Sequence, residues 1–143
     1  VIAALVVALD QLIKYYVTAN LITKEVTVIK NFFYLTYVEN YGIAFGMFQN
    51  KTMFFIVTTS VIAAAVAFMM YKFYSVNLWV TICLSLILGG AIGNLIDRIR
   101  LGYVVDYLRF TIFPPVFNLA DSAIVIGAIA LGALVIFDKN LNL

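Results

Sequence analysis

Long apolar runs separated by short polar breaks fill most of the chain, and four of these runs reach the length of a membrane span. They cover Val1 to about Val17, Met53 to about Tyr71, Leu78 to about Ile96, and Leu119 to Phe137. Each is close to the roughly 20 residues a helix needs to cross about 30 Å of hydrocarbon. The two middle runs have no charged residue in their cores, whereas the first and last carry aspartates. Gly89, Gly90 and Gly93 punctuate the third run, and Ala123, Gly127, Ala128 and Gly132 the fourth, spacings that let helices approach closely. Gly89, Gly93 and Gly127 are also expected to leave room for an apolar groove.

Between the first two runs, from Thr18 to Thr52, the pattern changes. Thr27, Val28 and Ile29, then Phe32 to Val38, are rich in β-branched and aromatic residues, which predicts two or three short strands resting at the membrane surface. Aromatic crowding there suits an interfacial belt. The connection from Lys72 to Asn77 reads as a short loop, and that from Asp97 to Asn118 as a medium loop holding Pro114 and Pro115. An even number of spans puts both termini on one side.

Composition agrees with this pattern. The chain is 65% hydrophobic and 11% charged, with a mean hydropathy of +1.08, more apolar surface than a soluble domain of this size can hide. A single membrane domain over residues 1–143 is expected, in fold class an all-α membrane protein of four transmembrane helices with a small β region at about residues 18–52. The net charge of +2 comes with scattered basic residues, which excludes a nucleic-acid partner of the clustered Lys/Arg type. Loop charge does not settle orientation, because Lys24, Lys30, Lys51, Arg98, Arg100 and Arg109 oppose Lys72 and Lys139. The first run starts in mid-helix pattern at Val1, so a short native start is expected before it. Asp10, Gln11 and Lys14 stand where a removable leader would need small residues. Cys83, the sole cysteine, lies in an apolar run and is expected to be an inert thiol.

The chain has no histidine, which excludes Ser-His and Cys-His catalysis and His-Glu-x-x-His zinc sites. Ser-Lys catalysis is poorly served, since Ser60 and Ser85 lie mid-span and no lysine has an evident route to Ser122. Carboxylates remain, and an acid near hydrocarbon needs a partner or a task. Asp10 and Lys14 are one helical turn apart, a structural ion pair or part of a site. Asn94, Asp97 and Arg98 are spaced to share a helix face, either as a helix-end charge pair, with Arg98 beside Asp97, or as site residues whose guanidinium holds a carboxylate or carbonyl. Asp106 follows Val104 and Val105 in a poorly solvated run. Asp121 falls in the first turn of the last span with Asn118 as its N-cap, a position that reads as capping or as chemistry. The two acids flank a proline-containing turn able to bring them together, and Asp97, Asp106 and Asp121 belong to one side of the membrane. A proton channel would string its acids across the bilayer instead. No metal and no cofactor is expected.

Taken together, Asp10-Gln11-x-x-Lys14, Glu39-Asn40-Tyr41-Gly42-Ile43-Ala44-Phe45-Gly46, Gly93-Asn94-Leu95-Ile96-Asp97-Arg98, Gly102-x-x-Val105-Asp106 and Phe117-Asn118-Leu119-Ala120-Asp121-Ser122 resemble the motifs of signal peptidase II, the bacterial prolipoprotein signal peptidase. They fall in the family's order over nearly the whole chain. The resemblance implies a multi-pass protein of the bacterial cytoplasmic membrane with both termini in the cytoplasm. It also implies an extracytoplasmic β-cradle after the first helix and a catalytic dyad, Asp106 and Asp121, near the outer face. Such an enzyme is an aspartyl endopeptidase without a covalent intermediate, cutting diacylglyceryl-modified prolipoproteins just before the lipidated cysteine and inhibited by globomycin. Asn40, Gly42, Asn94, Arg98 and Asn118 match positions that line or brace the substrate site, and Asp10, Lys14 and Asp97 match supporting polar residues. Ile43 departs from the small residue common at its position. Substrate and membrane lipid are the expected partners of a monomeric enzyme, and Asn40 to Phe48, with Gly42 and Gly46 as hinges, is expected to form a lid.

Overall fold

The structure, a computed structural model, describes residues 1–42, 52–73 and 77–137. Four helices are long and apolar enough to cross a membrane: α1 (Ile2–Asn20), α2 (Thr52–Phe73), α3 (Leu78–Leu101) and α4 (Leu119–Phe137). Between them lie β1 (Val26–Ile29), β2 (Phe33–Asn40), β3 (Val104–Phe110) and β4 (Phe113–Phe117). The third helix runs to Leu101, past the end of its most apolar stretch, so Asp97 and Arg98 are helical residues in its last turns. Gly102 closes it in the left-handed conformation, φ 86°, with its N–H donating to the Arg98 carbonyl, the usual place for glycine.

The hub is α3, which packs on α1, α2 and α4. Its glycines make this possible. A Cβ on Gly93 would lie 2.6 Å from Asp10 Oδ2, and one on Gly90 would run into the Ala120 carbonyl oxygen. Close packing therefore uses the space that the sequence assigns to a groove: Gly89 is filled by Val6 at 2.8 Å and Gly127 by the Cys83 carbonyl at 2.8 Å. Helix α1 is inverted relative to a helix of a soluble protein. Asp10, Lys14 and Val17 are buried, while Leu5, Leu9, Leu12, Tyr15 and Tyr16 face outward, as expected where the surroundings are hydrocarbon.

The strands form one antiparallel sheet in the order β1-β2-β3-β4. It is larger than the sequence predicts, because the connection between α3 and α4 supplies half of it. Its turn is at Thr111 and Ile112, and Pro114 and Pro115 lie in β4 itself. That strand is at the sheet edge, where a missing N–H need not cost a ladder bond. Phe33, Phe110 and Phe117 stack across three strands, with centroids 4.5 and 5.8 Å apart. The sheet docks on the end of α1, where Val17 and Leu21 meet Val105 and Tyr107.

Candidate active site

Asp106 sits on β3 opposite Val38 of β2, and only 1% of it is exposed. Both carboxylate oxygens accept amide hydrogens: Asn40 Nδ2 donates to Oδ2 at 2.7 Å and Asn118 Nδ2 to Oδ1 at 2.6 Å. The Asn40 amide is itself oriented. Gly42, at φ 80°, donates its backbone N–H to Asn40 Oδ1 at 2.8 Å, leaving the Asn40 NH2 to face Asp106. A φ in this region favours glycine, which has no Cβ to strain it.

Asp121 reaches the same place from the start of α4. The Asp121 N–H donates to Asn118 Oδ1 at 2.8 Å and the Asn118 N–H to Asp121 Oδ2 at 3.3 Å, a reciprocal cap on the helix N-terminus. Asn94 Nδ2 donates to Asp121 Oδ1 at 2.7 Å. Asn118 thus donates to both carboxylates, to Asp106 through its NH2 and to Asp121 through its backbone N–H. Burial pushes the Asp106 carboxyl up to about 6, the Asn40 amide opposes that shift, and the Asp121 charge adds to it.

Behind the acids is a buried charge network. Lys14 Nζ lies 2.9 Å from Asp10, 2.8 Å from Asp97 and 3.0 Å from Asn94 Oδ1, so its three donors are all placed. The contact with Asn94 turns that amide's nitrogen toward Asp121. Asp10 Oδ1 accepts the Ala120 N–H at 3.1 Å, and Asp97 Oδ2 accepts the Val105 N–H at 3.1 Å, tying the network to α4 and β3. Of the two readings open for Asp97, the helix-end pair with Arg98 does not form, and Asp97 pairs with Lys14 instead. The expected common face of Asn94, Asp97 and Arg98 accordingly divides. Arg98 turns toward α2, its guanidinium 5.5 Å from the Phe55 ring centre, and shares with Asn94 and Asp121 a cleft of 270 Å³ walled by α2, α3 and α4.

Two further clefts open at the acids. One of 570 Å³, between β4 and α4, has Asn40 and Asp121 at its polar end and Phe117, Val125 and Ile126 on its walls. The other, of 280 Å³, has the buried Asp106 in its lining beside Asn40, Tyr41 and Pro115. Gln11 escaped the sequence reading of site residues. It donates to Asp97 Oδ1 at 2.9 Å and to the Gly93 carbonyl at 3.2 Å, and its place between Asp10 and Lys14 was the available signal. Tyr107, whose hydroxyl accepts the Leu119 N–H at 3.1 Å, and Phe55 carried no local signal. Ile43, Gly46 and most of the expected lid lie outside the described residues.

A family model described as signal peptidase (SPase) II matches residues 2–137. The chain belongs to the signal peptidase II family. It is 57% identical over 143 residues to a lipoprotein signal peptidase of Caldanaerobacter subterraneus subsp. tengcongensis, covering 99% of this chain and 98% of that protein. A lipoprotein signal peptidase of Halothermothrix orenii is 47% identical over 129 residues, covering 90% and 88%. Two solved bacterial membrane enzymes are similar in fold. One, at 2.3 Å resolution, has a TM-score of 0.85 and 37% identity over 99% of this chain and 89% of that one. The other, at 1.9 Å, has a TM-score of 0.88 and 36% identity over 96% and 92%. With its four spans, this member of the family is a multi-pass membrane protein.

Proposed function

We propose that the chain removes signal peptides from prolipoproteins as an aspartyl endopeptidase, cutting just before a diacylglyceryl-modified cysteine. The observation that carries the reading is the meeting of Asp106 and Asp121, from a strand and a helix start, at the one residue Asn118, whose side chain donates to the Asp106 carboxylate and whose backbone N–H donates to that of Asp121, where clefts open. Family membership supplies the reaction, and the relatives' names supply the substrate class.

Two neighbouring carboxylates do not both ionise cheaply, so the pair holds one proton between them. The ionised member takes a proton from water as it attacks the scissile carbonyl, and the protonated member donates to the peptide, acid and base in one site. This chemistry needs no metal, no cofactor and no acyl-enzyme. Asn40, Asn94 and Asn118 fix the carboxylates, and Arg98 is available to hold a substrate carbonyl. A proton path across the bilayer fits less well, because α2 has no acid and the only acid in α4 is Asp121.

The enzyme works as a monomer in the bacterial cytoplasmic membrane, with its site near the outer face and its substrate held in the same bilayer. Each buried methylene of the substrate's lipid contributes roughly 0.8 kcal/mol to partitioning, and the apolar walls beside Asp121 let part of that energy align the peptide bond. The test compares cleavage of matched precursors with and without the diacylglyceryl group, in detergent and at saturating substrate. The lipidated form should be cut far faster, and globomycin should block it. Equal rates would mean that the lipid takes no part in alignment; no cleavage of either form would overturn the assignment.

A further inference from the structure

Helix α2 enters the bundle beside the acids. Thr52 Oγ1 donates to the Gly102 carbonyl at 2.9 Å, which pins the first turn of α2 to the end of α3. Phe55, one turn on, points the same way. Its ring lies directly against the backbone of Gly42, where an added Cβ would run into ring atom Cε2 and come within 2.8 Å of Cδ2. On its other flank stands the Arg98 guanidinium, 5.5 Å from the ring centre, within the range of a cation–π contact.

Arg98 is otherwise weakly held. Among the described residues its side chain makes one long hydrogen bond, to the Asn94 carbonyl at 3.5 Å, and no ion pair within 4.0 Å. A guanidinium has five donors in a rigid fork, so a site that uses them needs something else to fix the fork. The ring is placed to do that, and it is itself fixed by Gly42, whose N–H orients Asn40 toward Asp106.

We propose that Phe55 is a positioning residue, a wedge between Gly42 and Arg98 that holds the guanidinium at the cleft it shares with Asp121. The inference rests on the peptidase reading above. Phe55 acts through Arg98 and touches neither acid, so its contribution depends on the cation being there. Gly42 cannot gain a side chain without displacing the ring, a second reason, beyond its φ, for glycine at that position.

The test is a double-mutant cycle on cleavage of the lipidated precursor, with thermal midpoints measured in parallel. Phe55→Tyr keeps the ring and should stay within about twofold of the wild-type kcat/KM. Phe55→Leu should lose about 3- to 30-fold, the range of a partly desolvated cation–π contact. In an Arg98→Gln background the same leucine change should cost less than about twofold, because no cation remains to be held. Should leucine lower the thermal midpoint, Phe55→Met replaces it and must show the same coupling. A leucine variant at the wild-type rate, or an equal loss with and without Arg98, would overturn the inference while leaving the peptidase reading intact. Absence of cleavage by the wild-type protein would overturn both.

Discussion

Asn118 donates to Asp106 at 2.6 Å from the residue position that also caps the helix of Asp121. One side chain therefore sets how a strand and a helix present their acids to each other. Replacing it separates two effects. Asn118→Ala should destabilise the protein by about 1 kcal/mol through the lost cap. It should lower kcat on the order of 100-fold, the cost of a displacement near 1 Å at a reacting group. Thermal midpoint and single-turnover cleavage of one preparation check both, and a variant that loses stability but keeps its rate would show that Asn118 only caps.

Lys14 is the cation of a buried triad with Asp10 and Asp97. Lys14→Met removes it and leaves two acids uncompensated among residues at most 4% exposed. Breaking a buried pair in this way costs about 3–5 kcal/mol, so the variant should melt at a much lower temperature in detergent or fail to accumulate in the membrane. Its rate should fall as well, because Lys14 orients Asn94 toward Asp121. A midpoint within a degree or two of wild type would contradict the triad.

The pH dependence of stability carries a signature of Asp106. Its carboxyl releases its proton near 3.8 when unfolded and at about 6 when folded. Between those values the folded protein binds more protons, so this group lowers stability as pH rises through the window and holds it lower above about 6. Asp106→Asn removes that titration. The midpoint of the variant minus that of wild type should therefore increase from pH 4 to pH 6 and then level off, measured by thermal unfolding across that range. A difference that falls or stays flat would mean that Asp106 ionises at least as readily inside the fold as outside it.

The spans were legible because an apolar run of that length in so uncharged a chain has few other uses. The cap of α4 was legible because Asn118 and Asp121 make it locally, three residues apart. The sheet was legible only in part. β3 carries Asp106 and Arg109, β4 carries two prolines, and β3 is recognisable as a strand chiefly by pairing with β2, far back in the chain. The partner of Asp97 was not legible locally for a related reason. Arg98 is adjacent in sequence, but adjacent helical residues point about 100° apart, whereas Lys14 and Gln11 arrive from another helix, Gln11 at a separation of 86 residues. The glycines were read correctly as sites of close approach and wrongly as room for a groove. Helix interfaces close to protein packing density, so space left by a missing side chain is taken by the facing helix.

The most direct measurement is cleavage of a diacylglyceryl-modified precursor by purified Asp106→Asn and Asp121→Asn proteins, each compared with wild type at matched folded concentration. Asparagine keeps the shape of the carboxylate and removes its acid–base capacity, so each variant should remain inserted and folded while cleavage falls below a few per cent of the wild-type rate. Retention of a larger fraction by either folded variant would contradict the dyad.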